Sequence, residues 1–248
     1  MRHATAKEQP IPGVVIFDYF GTLTVATTAA TRRAGTARVA AALGVPSDIL
    51  FEATTSTFTE RSTGRCGDLP ATMAWLAHRC GHRPDAAQLE SACGVRFEIE
   101  CGYARMVRDD ALVTLRALRE RGLRIGVVSD CTHELRDIWD HLPLAQLVDA
   151  VVFSITMGER KPHPSLYLSV CDQLGIDATE AIYLGDGGSN ELTGAGHVGM
   201  SAVRLVADDA ADALVYDRQP DWTGPVVRSL SEFAAALIAS DHHRPPGW

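Results

Sequence analysis

Val14-Val15-Ile16-Phe17-Asp18-Tyr19-Phe20-Gly21-Thr22-Leu23 is the stretch whose reading decides the fold. Three β-branched residues and a phenylalanine run directly into a carboxylate. A short unbroken apolar run that ends at a turn signal has the pattern of a strand buried on both faces. Asp18 then stands at the strand's carboxyl end, where open α/β sheets place their ligands. Gly21 suits a tight turn beside a ligand, and Thr22 adds a hydroxyl. Taken alone, the stretch reads more simply as a core strand whose Asp18 is solvated or caps a turn. The rest of the chain reverses that reading.

From Asp109 onward, strands and helices alternate. The spacing of apolar residues predicts helices over 109–121, 133–141, 164–174, 189–197 and 229–239. Strands are predicted over 124–129, 149–154, 181–184 and 202–206. Together with the first strand, 14–18, this alternation implies an α/β fold. Its core is a doubly wound, Rossmann-like parallel sheet with right-handed crossovers. The texture differs between Ala26 and Arg105, which is rich in Ala, Thr and Arg. Apolar residues there recur at helical spacing over 31–43, 47–61, 69–80 and 85–105, with breaks at Gly44-Val45-Pro46, Gly64–Asp68 and Gly81–Pro84. The expected organisation is a catalytic core of 1–25 and 106–248 with an α-helical cap domain of 26–105. Residues 1–12 read as loose. The polar tail that ends in DHHRPPGW reads as disordered, although its two histidines could bind metal.

Composition narrows the function. Of 248 residues, 46% are apolar, enough for a substantial core. A net charge of −8 without a Lys/Arg cluster argues against nucleic acid as partner. No apolar run approaches about 18 residues, so no membrane span is expected. Met1–Pro12 lacks the apolar stretch of an export signal, which points to a cytoplasmic protein. The six cysteines form no C-x-x-C pair or zinc spacing and read as reduced, mostly buried thiols. Of the 23 Lys and Arg residues only Lys7 and Lys161 are lysines. In so arginine-rich a chain, Lys161 reads as chosen for its compact, point-like ammonium.

Three further strands end in polar residues. Val127-Val128 runs to Ser129-Asp130, Val151-Val152-Phe153 leads to Lys161-Pro162, and Ile182-Tyr183-Leu184 runs to Gly185-Asp186-Gly187-Gly188-Ser189-Asn190-Glu191. In a parallel sheet these ends share one edge. The edge then offers a carboxylate, a hydroxyl, an ammonium and an acidic cluster, a set suited to phosphoryl transfer. Asp18 can attack phosphorus and form an acyl phosphate. Asp18 and Asp186 can hold Mg²⁺, a hard cation that prefers oxygen ligands. Ser129 and Lys161 can offset the charge of the transferring phosphoryl group.

These residues resemble the haloacid dehalogenase superfamily. That family's first motif, a strand ending D-x-D-G-T, corresponds to D-Y-F-G-T-L here. Its second, an apolar strand ending in Ser or Thr, corresponds to Ser129. Its third, a lysine often followed by proline, corresponds to Lys161 in KPHPSLY. Its fourth, G-D with a further acid a few residues on, corresponds to Asp186 and Glu191. The resemblance spans essentially residues 13–240. It implies an Asp18 nucleophile and a Mg²⁺ site formed by Asp18, the backbone carbonyl of Phe20, Asp186 and Glu191. Thr22, Ser129, Asp130 and Lys161 would surround a phosphate. The implied activity is a Mg²⁺-dependent phosphatase acting on a small, anionic metabolite. The helical insert resembles that family's cap, and the short span from Lys161 to Asp186 leaves no room for a second one.

The chain departs from the pattern at Phe20, where phosphatases of the family carry a second aspartate. That group protonates the leaving oxygen and then activates water. Losing a general acid costs about 10²–10⁴-fold in rate, mostly for poor leaving groups. An aromatic residue at this place resembles the metal-independent 2-haloacid dehalogenases, which expel halide and need no acid. Their fourth motif usually lacks the acid pair present here, and adjacent anions facing Asp18 call for a cation. A third alternative is a catalytically silent binding protein of the same fold. The phosphonate-cleaving branch requires a cap lysine, and the insert has none. Asp130 could supply the missing acid or serve a hydrogen-bonded structural role. Cys131 and His133 read as helix-start residues, Asn190 as an orienting group, and Gly187-Gly188 as a close backbone approach. His163 reads as positional, and Arg32 and Arg33 as solvated helix charges, with reach to an anionic substrate as the alternative.

Overall fold

The computed structural model describes residues 13–240. The expectations for the first twelve residues and for the histidine-containing tail lie outside the described residues. Six parallel strands form one sheet: β1 (Val14–Phe17), β2 (Arg124–Ser129), β3 (Ala150–Phe153), β4 (Ala181–Gly185), β5 (Ser201–Leu205) and β6 (Val226–Val227), in the spatial order β3-β2-β1-β4-β5-β6. The order reverses direction between β1 and β4. That switch point opens a crevice beyond the carboxyl ends of the strands. Phe17 lies opposite Val127 of β2 and Leu184 of β4. The chain therefore crosses the rim at Asp18, with Ser129 and Asp186 each one step further along its own strand.

Every residue of β1 is fully buried. Val15 and Phe17 face one cluster with Leu115 and Leu118 of α6 (Ala111–Glu120) and Phe233 and Leu237 of α11 (Leu230–Ala239). Val14 and Ile16 face the other, with Leu166 and Val170 of α9 (Pro164–Leu174) and Leu192 of α10 (Glu191–His197). The period of two sends alternate side chains to opposite layers, and both layers are covered by helices, as a parallel sheet requires. Two smaller helices, α7 (His133–Ile138) and α8 (Ser154–Met157), follow β2 and β3.

Between β1 and β2 the chain forms α1 (Ala29–Leu43), α2 (Ser47–Ser56), α3 (Phe58–Ser62), α4 (Leu69–Arg79) and α5 (Ala86–Arg105). These helices close over their own apolar cluster, which includes Val39, Leu43, Leu50, Met73, Leu76 and Ala92. Asp85 and Gln88 cap α5 reciprocally, and Asp68 caps α4.

Four details depart from the sequence reading. The helix expected over 47–61 breaks at Thr57, because Thr54, Thr55, Ser56 and Thr57 each donate to a carbonyl one turn earlier. Residues 154–157 are helical rather than loop. β6 is two residues long, too short to carry a periodic signal. The helix expected from Ser189 starts at Glu191: Ser189 and Asn190 have φ of 55° and 50°, held by bonds from their N–H groups to the carbonyls of Tyr216 and Asp217. Among the described residues no helix is long and apolar enough to cross a membrane. All six cysteines are free; Cys101, Cys131 and Cys171 are buried, and Cys66, Cys80 and Cys93 are half-buried.

Candidate active site

β1 keeps pairing with β4 for one residue past its end, as Asp18 N donates to Leu184 O at 2.9 Å. The chain then makes one wide turn over Tyr19–Leu23, closed by Thr24 N donating to Tyr19 O at 3.0 Å. Such turns are uncommon and concentrate at functional sites. Gly21 has φ of +80°, and a Cβ there would stand 2.6 Å from Asp186 Oδ2, so only glycine lets the turn pass this carboxylate. Arg108 braces the turn from outside, donating to Gly21 O and Thr22 O at 2.9 and 3.0 Å. Thr22 Oγ1 donates to Asp18 Oδ2 at 3.0 Å.

Lys161 lies fully inside, 3% exposed. Its Nζ donates to Asp18 Oδ1 at 2.5 Å and to Glu191 Oε2 at 2.6 Å, with Tyr183 Oη at 3.3 Å. Tyr183 Oη donates to the same Glu191 oxygen at 2.8 Å. The other, Glu191 Oε1, accepts from Gly187 N at 2.9 Å. A Cβ at Gly185 would stand 2.1 Å from that oxygen, which explains the glycine that ends β4. Asp186 Oδ1 accepts from Gly188 N at 2.8 Å.

Oxygens of Asp18, Asp186 and Glu191 lie within 4.8 Å of one another. Three carboxylates thus meet one ammonium. Burial and Glu191 together push the Asp18 carboxyl well above the usual carboxylate range, despite Lys161. Burial and Glu191 likewise push Asp186 up to about 6. Burial opposes the Lys161 ammonium, but Asp18 and Glu191 outweigh it and hold the lysine charged. An all-oxygen donor set with excess negative charge suits a hard divalent cation. Ser129 Oγ, fully buried beside this set, has no hydrogen-bond partner. An orphaned buried hydroxyl calls for an absent ligand.

The other residues singled out in the sequence divide. Asp130 accepts from Lys161 N at 3.0 Å and from Arg160 Nε at 3.3 Å, so both oxygens hold the segment that carries the lysine. Cys131 N donates to Ser154 Oγ, which donates to Ser62 O of α3. His133 contacts Gly67 O and His163 caps α9. Asn190 is exposed, while Arg33 lies over the Phe51 ring. Arg32 is not a solvated charge: it is half-buried and pairs with Glu100 at 2.9 Å.

Above the rim is a cavity of about 140 Å³, walled by the core on one side and by α1, α2, α3 and α5 on the other. Asp18, Phe20, Lys161 and Asp186 line its floor. Its far side carries Arg32, Arg61, Arg96, Glu100 and Glu134. Arg96 pairs with Glu134 at 2.9 Å and with Glu100 at 3.4 Å. Burial alone would raise the Glu100 carboxyl, but Arg96 and Arg32 hold it down to about 2.

Sequence reading missed this charged wall, since its members are scattered over four helices, α1, α3, α5 and α7. It also missed Tyr183, whose strand position reads as plain core, and Arg160. Arg160 bonds Asp130, Ser189, Asp217 and Thr59, and so ties the core rim to the helices above it. Its one visible signal was its place next to Lys161.

The chain belongs to the haloacid dehalogenase-like hydrolases, whose family model matches residues 12–199. Among curated relatives, haloacid dehalogenase-like hydrolase domain-containing protein 3 of Mus musculus is 28% identical over 155 residues, covering 62% of this chain and 61% of that protein. A glyceraldehyde 3-phosphate phosphatase of Methanopyrus kandleri is 27% identical over 139 residues, covering 55% of this chain and 58% of the relative. The chain therefore spans about three fifths of the length of these relatives. Among solved structures, a phosphatase of this family from Thermococcus onnurineus superposes with a TM-score of 0.62 at 22% identity, covering 93% of this chain and 99% of the other. An L-2-haloacid dehalogenase from Xanthobacter autotrophicus does so with 0.62 at 20%, covering 92% and 99%. Both structural likenesses establish the fold.

Proposed function

We propose that the protein is a Mg²⁺-dependent phosphatase of a small phosphorylated metabolite, with Asp18 as nucleophile and residues 26–105 as the cap over a core of 1–25 and 106–248. The observation that carries this reading is the cluster of three carboxylates, Asp18, Asp186 and Glu191, two of them paired with Lys161, together with the orphaned Ser129 hydroxyl at the end of the neighbouring strand. The phosphatases among its relatives agree with it.

Asp18 attacks phosphorus through a carboxylate oxygen; the bond to the leaving oxygen breaks, and an aspartyl phosphate forms. Water then cleaves that intermediate, releasing phosphate and restoring Asp18. Thr22 fixes one Asp18 oxygen, which leaves a defined direction of attack. Ser129 and Lys161 donate to the phosphoryl oxygens as charge builds. Asp18, Asp186, Glu191 and the Phe20 carbonyl would hold the ion, which when bound supplies Lewis-acid neutralisation of those oxygens. Glu191 also pins Lys161 by one oxygen. Asp130 works as a positioning residue, since both its oxygens serve the backbone and side chain of the Arg160–Lys161 segment.

Phe20 offers no proton at the place where the leaving group departs. The substrates this site handles are therefore those with good leaving groups, such as acyl phosphates. Acetyl phosphate should be hydrolysed with Mg²⁺ and not with EDTA. Phe20→Asp should raise the turnover of a simple alkyl phosphate by about 10²-fold or more. No metal-stimulated turnover in either protein would defeat the proposal. Phe20 also favours a second reading, metal-independent 2-haloacid hydrolysis. Halide release from a 2-haloacid in EDTA would select it.

A further inference from the structure

Among the described residues, two buried side-chain polar atoms have no hydrogen-bond partner: Ser129 Oγ at the end of β2 and Arg61 Nε of a residue that lines the far wall of the cavity. The first belongs to the site above; the second does not. Arg61, on α3, is 4% exposed and lines the cavity. Its Nη2 donates to Thr54 O at 2.7 Å, a neutral acceptor, and it forms no ion pair among the described residues. The neighbouring glutamates are taken: Glu100 by Arg32 and Arg96, and Glu134 by Arg96. Two arginines against two carboxylates balance, and Arg61, whose guanidinium lies 5.8 Å from the Phe58 ring centre, remains as a buried cation with no carboxylate paired to it among the described residues.

A buried charge without a partner is costly, and proteins pair it or bind an ion. Burial and the repulsion of Arg96 already pull the Arg61 guanidinium down to about 10. At neutral pH it is still charged. A trapped water could accept from Nε but would leave the positive charge in place. A single negative charge in a planar, two-oxygen group matches both the surplus and the guanidinium's shape.

We infer that Arg61 binds a carboxylate of the substrate, at the end of the molecule away from its phosphoryl group. Resting on the proposed phosphatase reading, this makes the substrate class a small phosphorylated carboxylic acid. Arg61 then selects among phosphorylated molecules, and the floor performs the chemistry. The Arg32–Glu100–Arg96–Glu134 array occupies both glutamates of the wall.

The test uses non-hydrolysable probes: a series of short phosphonocarboxylates, each against the alkylphosphonate of the same length, titrated into the Mg²⁺-loaded protein by calorimetry. The best phosphonocarboxylate should bind the wild type at least about tenfold tighter than its alkylphosphonate, as befits one charge-assisted bond pair. In Arg61→Met that preference should vanish while alkylphosphonate affinity changes less than about threefold. The ligand-free Arg61→Met protein should melt no lower than the wild type, since it loses an unpaired buried charge. Equal binding of both probe types to the wild type, with alkylphosphonate bound and acetyl phosphate hydrolysed, would overturn this inference and spare the phosphatase reading. Failure of every probe together with absence of acetyl phosphate turnover would overturn both. A melting temperature of Arg61→Met several degrees below the wild type would mark Arg61 as a structural pin and overturn the carboxylate site.

Discussion

The floor and the far wall of the cavity are both built from buried charge, yet they are out of balance in opposite senses. On the floor, three carboxylates meet one lysine. On the wall, two glutamates meet three arginines. The floor is short of positive charge by two, which a divalent cation would supply. The wall is short of negative charge by one, which a carboxylate would supply. Asp18, Ser129 and Asp186 stand at the ends of paired strands, whereas the wall draws Arg32, Arg61, Arg96 and Glu100 from α1, α3 and α5 and Glu134 from α7.

The contrast can be broken from the floor first. Asp18→Asn removes the proposed nucleophile and should lower acetyl phosphate turnover by about 10⁴-fold or more in a steady-state assay. Retained turnover would mean that the floor carboxylates only bind. Next comes Lys161→Met, which deletes the cation paired with both Asp18 and Glu191. Leaving buried anions unpaired should cost about 3–5 kcal/mol in metal-free denaturant unfolding, with part of the loss restored by Mg²⁺. The matching substitution on the wall, Arg61→Met, should not destabilise. If both changes act alike, the two ends are not opposites.

The smallest effect concerns acid stability of the wall. In the folded state Glu100 titrates at about 2, below the ordinary value of 4.5. A carboxyl held down in this way stabilises the fold above the ordinary value, and that contribution is lost as pH falls towards 2. Glu100→Gln should therefore flatten the fall of the melting temperature between about pH 4.5 and 2. The change should amount to several degrees at most, read by calorimetry across pH. An unchanged acid limb would show that the wall's charges are not coupled as drawn.

The two regions were unequally legible in the sequence. Asp18, Ser129 and Asp186 stand just past apolar runs, and such runs mark strands whatever surrounds them. These three could be named from this, and Lys161 from the scarcity of lysine in the chain; sheet pairing brings Asp18 and Asp186 to one rim. Glu191 came from resemblance and lies at the start of α10. The wall left no comparable trace. Arg61 follows four hydroxyl residues that break a helix, and nothing local marks it as buried. Arg32 was misread as solvated for the same reason: helical charge patterns look alike on open and enclosed faces. β6 escaped because two residues cannot show a period.

The sequence by itself determined the alternation of strands and helices, the parallel sheet and the carboxylates at its edge. These follow from apolar periodicity and from the chain geometry of strands, which are local properties. Only the tertiary structure decided which charges are buried together, which are matched and which are left over. Burial and pairing depend on residues far apart in the chain, and the energy of a charge depends on the medium and partners that the fold brings around it.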